Sequence, residues 1–124
     1  MMASLYKKSV DKNTEDKPTR YFSNRQEKSV AKTAGGKKVV NSGATAFSKG
    51  DVKTKKCLIE CKTCTSDKES FSIKKAWLDK NLQESVFMGK EYSILAFNFG
   101  PDRPNYYILD ELTFQEFIEY LENK

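Results

Sequence analysis

The chain has 124 residues, enough for one hydrophobic core but not for two. It contains no apolar run long enough for a transmembrane helix, and its first residues lack the apolar core of a signal peptide, so we expect a cytoplasmic protein. Three cysteines and no histidine argue against a disulfide framework and against a four-ligand zinc site.

Charge is distributed unevenly along the chain. Residues 1–66 have 15 Lys and Arg against 6 Asp and Glu, a balance of +9, whereas residues 67–124 have 7 against 11, a balance of −4. A basic surface attracts polyanions because neutralised phosphates release their counterions. We therefore expect a nucleic-acid partner; ordinary surface lysines are the alternative.

Residues 1–21 are polar and mixed in charge, and we interpret them as a flexible N-terminal arm that precedes a single domain over residues 22–124. Ser23 is the expected N-cap of a helix that continues to residue 34 and ends at Gly35. On this helix Glu27 lies near the apolar, inward face, where a carboxylate needs a metal ion or a lysine as partner. An exposed first-turn glutamate favoured by the helix dipole is the alternative.

Residues 37–41 are predicted to form a short strand, and the polar, glycine-containing residues 41–50 a loop. Small side chains and glycines let backbone amides approach phosphates closely. Ser42, Thr45 and Lys49 are therefore candidate contacts to the DNA backbone. A plain hairpin loop is the alternative.

A hydrophobic strand is predicted over residues 56–63. Side chains alternate between the two faces of a strand, which places Leu58, Glu60 and Lys62 on one face and Cys57, Ile59 and Cys61 on the other. Neighbours on one face stand about 6.6 Å apart. A divalent ion held by Asp51 and Glu60 would therefore lie within reach of the Lys62 ammonium.

The rest of the chain has the pattern of a scaffold. A helix over residues 73–88 is predicted after an N-cap at Ser72, with its buried face traced by Leu78, Leu82 and Ser85 or Val86. Trp77 is interpreted as a packing residue. Strands over residues 91–99 and 106–110 follow, and a capping box at Thr113 opens a final amphipathic helix. With a further short strand near Asp51, this order of elements predicts a small α/β fold with a mixed sheet of about five strands flanked by helices.

One motif carries a resemblance to a known family. Asp51, followed nine residues later by Glu60-Cys61-Lys62 and preceded by Glu27 on a predicted helix, resembles the PD-(D/E)-x-K motif of the restriction-endonuclease-like nuclease superfamily. The pattern is most similar to the small Holliday junction resolvases of archaea and phages, from about Arg25 to the end of the second long helix. Gly50 stands where the motif name has Pro.

This resemblance implies a restriction-endonuclease-like fold and hydrolysis of phosphodiester bonds in DNA, with Glu27, Asp51, Glu60 and Lys62 as catalytic residues. It implies Mg²⁺ or Mn²⁺ held by the three acids and by the backbone carbonyl of Cys61. It also implies a homodimer that acts on branched DNA such as four-way junctions, in the host-cell cytoplasm if a phage encodes it.

Basic and polar side chains around the motif are candidate DNA contacts: Arg25, Lys28, Lys38, Ser42, Thr45, Lys49, Lys53 and Lys74. No base-reading element is apparent in the sequence, so we expect recognition of DNA backbone and shape. Two other functions stay open: a nicking, restriction or repair endonuclease on linear duplex DNA, and a non-catalytic nucleic-acid-binding protein whose carboxylates are structural.

Overall fold

The computed structural model describes residues 18–39 and 51–124. Within them, five strands form one mixed sheet flanked by three helices, which confirms the predicted α/β class. In chain order the elements are α1 (Thr19–Ala34), β1 (Lys37–Lys38), β2 (Asp51–Lys53), β3 (Cys57–Lys62), α2 (Lys75–Phe87), β4 (Tyr92–Phe97), β5 (Tyr106–Ile108) and α3 (Glu111–Glu122).

The strands lie in the sheet in the same order as in the chain. Neighbouring strands are antiparallel except for β3 and β4, which are parallel and are joined through α2. A parallel pair needs such a crossover, whereas antiparallel neighbours can be joined by short turns. The β2–β3 register sets Asp51 directly opposite Glu60.

One face of the sheet is covered by α1. Val30 of this helix packs with Val52, Ile59 and Ala96 in a fully buried apolar cluster, and Cys57 and Cys61 pack against its edge. The predicted alternation along β3 is therefore confirmed, because its odd-numbered residues face α1. Asp51 and Glu60 alternate to the other face.

The other face of the sheet is covered by α2, in an orientation that the sequence analysis did not predict. Its buried residues are Asn81, Glu84 and Ser85. Of the residues predicted to be buried, Ser85 is confirmed, whereas Leu82 and Val86 are 51% and 70% exposed. The buried face is fixed by hydrogen bonds: Asn81 Nδ2 donates to Ser93 Oγ at 2.7 Å and to the backbone oxygens of Leu58 and Ile94.

Helix starts also differ from the prediction. The helices begin at Thr19, Lys75 and Glu111 rather than after the expected caps Ser23, Ser72 and Thr113. Asp110 is the N-cap of α3, because its carboxylate accepts the backbone N–H of Thr113 at 2.7 Å. Residues 19–21 of the predicted arm are thus helical. Residues 1–17 of the arm and the whole of the predicted loop, residues 41–50, lie outside the described residues.

Within the described ranges, no helix combines the length and the apolar character that crossing a bilayer requires.

Replacing Asn81 with Ala should destabilise the fold. The side chain is 1% exposed and ties α2 to two strands, so its loss should lower the free energy of unfolding by about 2–3 kcal/mol. Urea denaturation followed by circular dichroism measures this. Gln83→Ala, at an exposed position of the same helix, is the control and should change stability little; equal effects of the two substitutions would contradict the assignment.

Candidate metal centre

Three carboxylates from three elements converge on the α2 face of the sheet. Asp51 of β2 and Glu60 of β3 oppose each other across the antiparallel pair, and Glu84 is on the buried side of α2. Each residue offers a carboxylate oxygen, and these oxygens all lie within 4.8 Å of one another. The three residues are called the acidic cluster below.

The acidic cluster is buried, and most of its carboxylate oxygens lack a hydrogen-bond donor. Asp51 is 0% exposed, and Glu60 and Glu84 are each 5% exposed. Within the described part of the chain, both side-chain oxygens of Asp51, both of Glu84 and one of Glu60 have no hydrogen-bond partner. A buried carboxylate without partners costs several kcal/mol, so the cluster requires a cation or a bound proton.

Burial and like charge both act on the titration of the acidic cluster. Burial, reinforced by the negative charge of Glu60, raises the pKa of Asp51 to about 10. Burial also raises the pKa of Glu84, although the nearby Lys80 ammonium opposes the rise. Without a metal ion, Asp51 therefore retains its proton at neutral pH.

The donor set fits a metal ion. Three carboxylates whose oxygens approach one another this closely, several of them unpartnered, could hold one cation. Oxygen donors of this type are preferred by hard divalent ions such as Mg²⁺, Mn²⁺ and Ca²⁺. A bound cation would also replace the proton that burial otherwise holds on Asp51.

Two lysines lie at the rim of the acidic cluster. Lys62 Nζ is 3.2 Å from Glu60 Oε2, and Lys80 Nζ is 3.6 Å from Glu84 Oε2. The structure therefore brings together three residues of the predicted site, Asp51, Glu60 and Lys62.

Glu27 lies elsewhere. It is on α1, which covers the opposite face of the sheet, and it is not a member of the acidic cluster. Its Oε1 is 3.7 Å from Lys38 Nζ; burial raises the pKa of Glu27, and the Lys38 charge opposes the rise. A lysine thus supplies the partner that an inward-facing glutamate needs.

A cavity links Glu27 to the rest of the predicted site. It has a volume of about 660 Å³ and lies beside α1 and the end of β3, with Glu27, Glu60 and Lys62 in its lining and with Arg20 and Lys38 contributing positive charge. Glu60 therefore both belongs to the acidic cluster and faces this cavity.

The other residues predicted to contact DNA are not grouped at one place in the structure. Arg25 Nε donates to Asp102 Oδ1 at 2.8 Å, Lys28 and Lys53 are exposed on α1 and β2, and the exposed Lys74 has its Nζ 5.8 Å from the Trp77 ring centroid. Ser42, Thr45 and Lys49 lie outside the described residues. Metal binding by the Cys61 carbonyl stays a prediction.

Two residues that matter to the site were missed in the sequence. Glu84 shares a helix face with Trp77 and Asn81, at spacings of seven and three residues, whereas the predicted buried face was the one traced by Leu78, Leu82 and Ser85 or Val86. Gln26 is buried on α1 and its Nε2 donates to the backbone oxygen of Lys62 at 2.7 Å. This bond fixes the strand end that carries Lys62, and no sequence signal distinguishes Gln26 from an exposed helical glutamine.

No protein-family model matches the chain, and neither does any curated protein or solved structure. The chemistry of the site is therefore inferred from the residues of the site itself.

The stability of the metal-free protein should fall as pH rises. The pKa of Asp51 is raised from 3.8 to about 10 by folding, so the folded chain binds this proton more tightly, and the resulting stabilisation is complete below about pH 4 and lost toward pH 10. We expect the free energy of unfolding in chelator to decrease between about pH 6 and pH 9, by at most about 1.4 kcal/mol per pH unit. Urea denaturation across this range measures the slope. Asp51→Asn should flatten it, and an unchanged slope in that variant would contradict the assignment.

Glu84→Gln should weaken binding of divalent cations. The substitution keeps the side-chain shape but removes one of three negative charges, so the Mn²⁺ dissociation constant should rise at least about tenfold. Isothermal titration calorimetry measures it. Glu91→Gln is the matched control, because Glu91 is exposed and pairs with Lys56 away from the cluster; a similar loss in both variants would exclude the acidic cluster as the site.

Proposed function

We propose that this protein is a metal-dependent DNA endonuclease that hydrolyses phosphodiester bonds, with branched DNA such as four-way junctions as its preferred substrate. The observation that carries the proposal is the acidic cluster with the Lys62 ammonium 3.2 Å from one of its carboxylates. The order of helices and strands and the resemblance of Asp51 and Glu60-Cys61-Lys62 to the nuclease motif support the same function.

The acidic cluster would hold Mg²⁺ or Mn²⁺ through Asp51, Glu60 and Glu84. A divalent ion supplies a bound water of lowered pKa and neutralises charge on a phosphate. The three carboxylates, buried and fixed on three elements, would hold it without rearrangement of the sheet. Glu27, across the sheet, would act on substrate in the adjoining cavity.

Lys62 would act on the substrate. Its side chain is 30% exposed, whereas that of its partner Glu60 is only 6% exposed. An ammonium in this position can donate a hydrogen bond to the attacking water, or to a phosphate oxygen as negative charge develops on it. Both roles require a positive charge held close to the carboxylates that bind the cation.

Surface charge supports a DNA backbone as the partner. Seven exposed basic side chains lie on α1, β1 and β2: Arg20, Arg25, Lys28, Lys32, Lys37, Lys38 and Lys53. Negatively charged side chains lie on α3: Glu111, Glu116, Glu119 and Glu122. DNA would therefore approach from the α1–β1–β2 side, through contacts to phosphates that carry no base information.

Cutting two strands of a junction requires two such sites, so the proposed active form is a homodimer. Exposed apolar side chains supply surface that a second copy would cover, among them Leu82, Val86 and Phe87 on α2. Exposed apolar residues that neighbour one another on a helix are typical of interaction surfaces.

Cleavage of labelled DNA tests the proposal. Wild-type protein with Mg²⁺ or Mn²⁺ should cut a synthetic four-way junction faster than a linear duplex of the same sequence. Lys62→Met and Asp51→Asn should each lower the rate by about 10²–10³-fold, because each removes an electrostatic contribution to the transition state. Lys55→Met, at an exposed lysine outside the site, is the matched control and should cut at the wild-type rate.

The other outcomes distinguish the alternatives. Equal cleavage rates on the two substrates would indicate an endonuclease of linear duplex DNA rather than a junction resolvase. Binding of DNA by the wild type without cleavage in either metal would leave a nucleic-acid-binding protein and refute the enzyme.

A further inference from the structure

The only tryptophan of the chain lies next to the proposed catalytic lysine. Lys62 Nζ is 4.6 Å from the centroid of the Trp77 ring, within the range of about 6 Å for an attraction between a cation and an aromatic face. The same ammonium is 3.2 Å from Glu60 Oε2. Lys62 is thus held from two sides, by a carboxylate on its own strand and by a ring on the facing helix.

The Trp77 ring is itself held by other aromatic rings. Its centroid is 6.3 Å from that of Phe71, and Phe71 packs at 5.2 Å against Phe97 of β4. The ring is therefore tied to the sheet and does not depend on Lys62 for its place. A side chain packed against other rings in this way moves less than a solvent-exposed side chain does.

Trp77 and Glu84 are related through α2. They are seven residues apart, which is close to two turns, so both project from one side of the helix. The same rigid helix thus supplies a carboxylate to the acidic cluster and a ring to Lys62. The position of α2 therefore sets the distance between the Glu84 carboxylate and the Trp77 ring.

The attractions of Glu60 and of Trp77 for the Lys62 ammonium differ in how they respond to a bound metal ion. Glu60 is a ligand candidate, and a carboxylate whose charge is shared with a cation attracts a lysine less strongly. The face of an indole ring does not compete for the cation and keeps its attraction for the ammonium. A lysine side chain is otherwise flexible around four carbon–carbon bonds, so a second contact is needed to keep it at the site.

We infer that Trp77 is a positioning residue that holds the Lys62 ammonium beside the acidic cluster while Glu60 serves the metal ion. The inference rests on the proposed nuclease function and adds to it a residue outside the motif. It predicts both a spectroscopic contact and a kinetic effect, which are measured separately.

Intrinsic fluorescence tests the contact without any assay of activity. Because Trp77 is the only tryptophan, its emission reports on the ammonium groups near its ring. Lys62→Met should shift the emission maximum more than Lys74→Met, since Lys74 Nζ is farther from the ring, at 5.8 Å. An emission spectrum insensitive to Lys62→Met would overturn the inference.

Single-turnover cleavage with Mn²⁺ tests the role. Trp77→Leu should lower the rate by about 5- to 30-fold, the range expected from loss of one cation–aromatic contact, and Trp77→Phe should lie between Trp77→Leu and the wild type. Phe99→Leu, which alters aromatic packing at a ring that lies against Phe97 and Tyr106, should retain the wild-type rate. Calorimetric Mn²⁺ affinity should be unchanged in all three variants.

The outcomes separate this inference from the function on which it rests. A wild-type rate in Trp77→Leu overturns the positioning role and leaves the nuclease intact. Weakened Mn²⁺ binding in Trp77→Leu, or an equal loss of rate in Phe99→Leu, would make Trp77 a packing residue and also overturn the role. Absence of cleavage by the wild type would refute the nuclease itself.

Discussion

The constraint on which the structure depends is the pairing of two acids across the β2–β3 ladder, with a third acid facing them from α2. Like charges directly opposite each other destabilise a sheet, yet Asp51 and Glu60 are in register and buried. α2 turns a polar side toward the sheet at this point, so its apolar residues Leu82 and Val86 face outward. The side of α2 that faces the sheet thus contributes to the acidic cluster, beside the buried Leu58 and Leu95 on the same face of the sheet.

Short-range periodicity was enough to predict that Glu60 and Lys62 share a face, because side chains alternate along a strand. Asp51 was assigned to the same site by the motif, and the antiparallel β2–β3 register sets it opposite Glu60. The rotation of α2 could not be predicted in the same way. Apolar residues indicate the buried side of a helix only where the surface it covers is apolar, and here that surface carries carboxylates.

Glu27 illustrates a different limit. Its helical spacing correctly placed it on the inward side of α1, with its exposed fraction at 6%. The sequence of α1 does not specify which face of the sheet the helix covers, because both faces of β3 present buried residues. The structure puts α1 over Ile59 and Val52, opposite the acidic cluster, and Glu27 pairs with Lys38 instead. Side-chain periodicity assigns a residue to a face; long-range packing decides which faces meet.

The charges around the acidic cluster bear on how the proposed site would engage a phosphate. Burial raises the pKa of Asp51 and favours its neutral form without a metal ion, and the Lys62 and Lys80 ammonium groups lie beside the carboxylates of Glu60 and Glu84. Ammonium groups beside carboxylates attract an anion less strongly than isolated ones do. A divalent cation bound by the cluster would add two positive charges next to a cavity lined by Arg20 and Lys38. Electrostatic attraction in a partly enclosed site is strong at short range, so one ion would make the buried cluster more complementary to a phosphodiester.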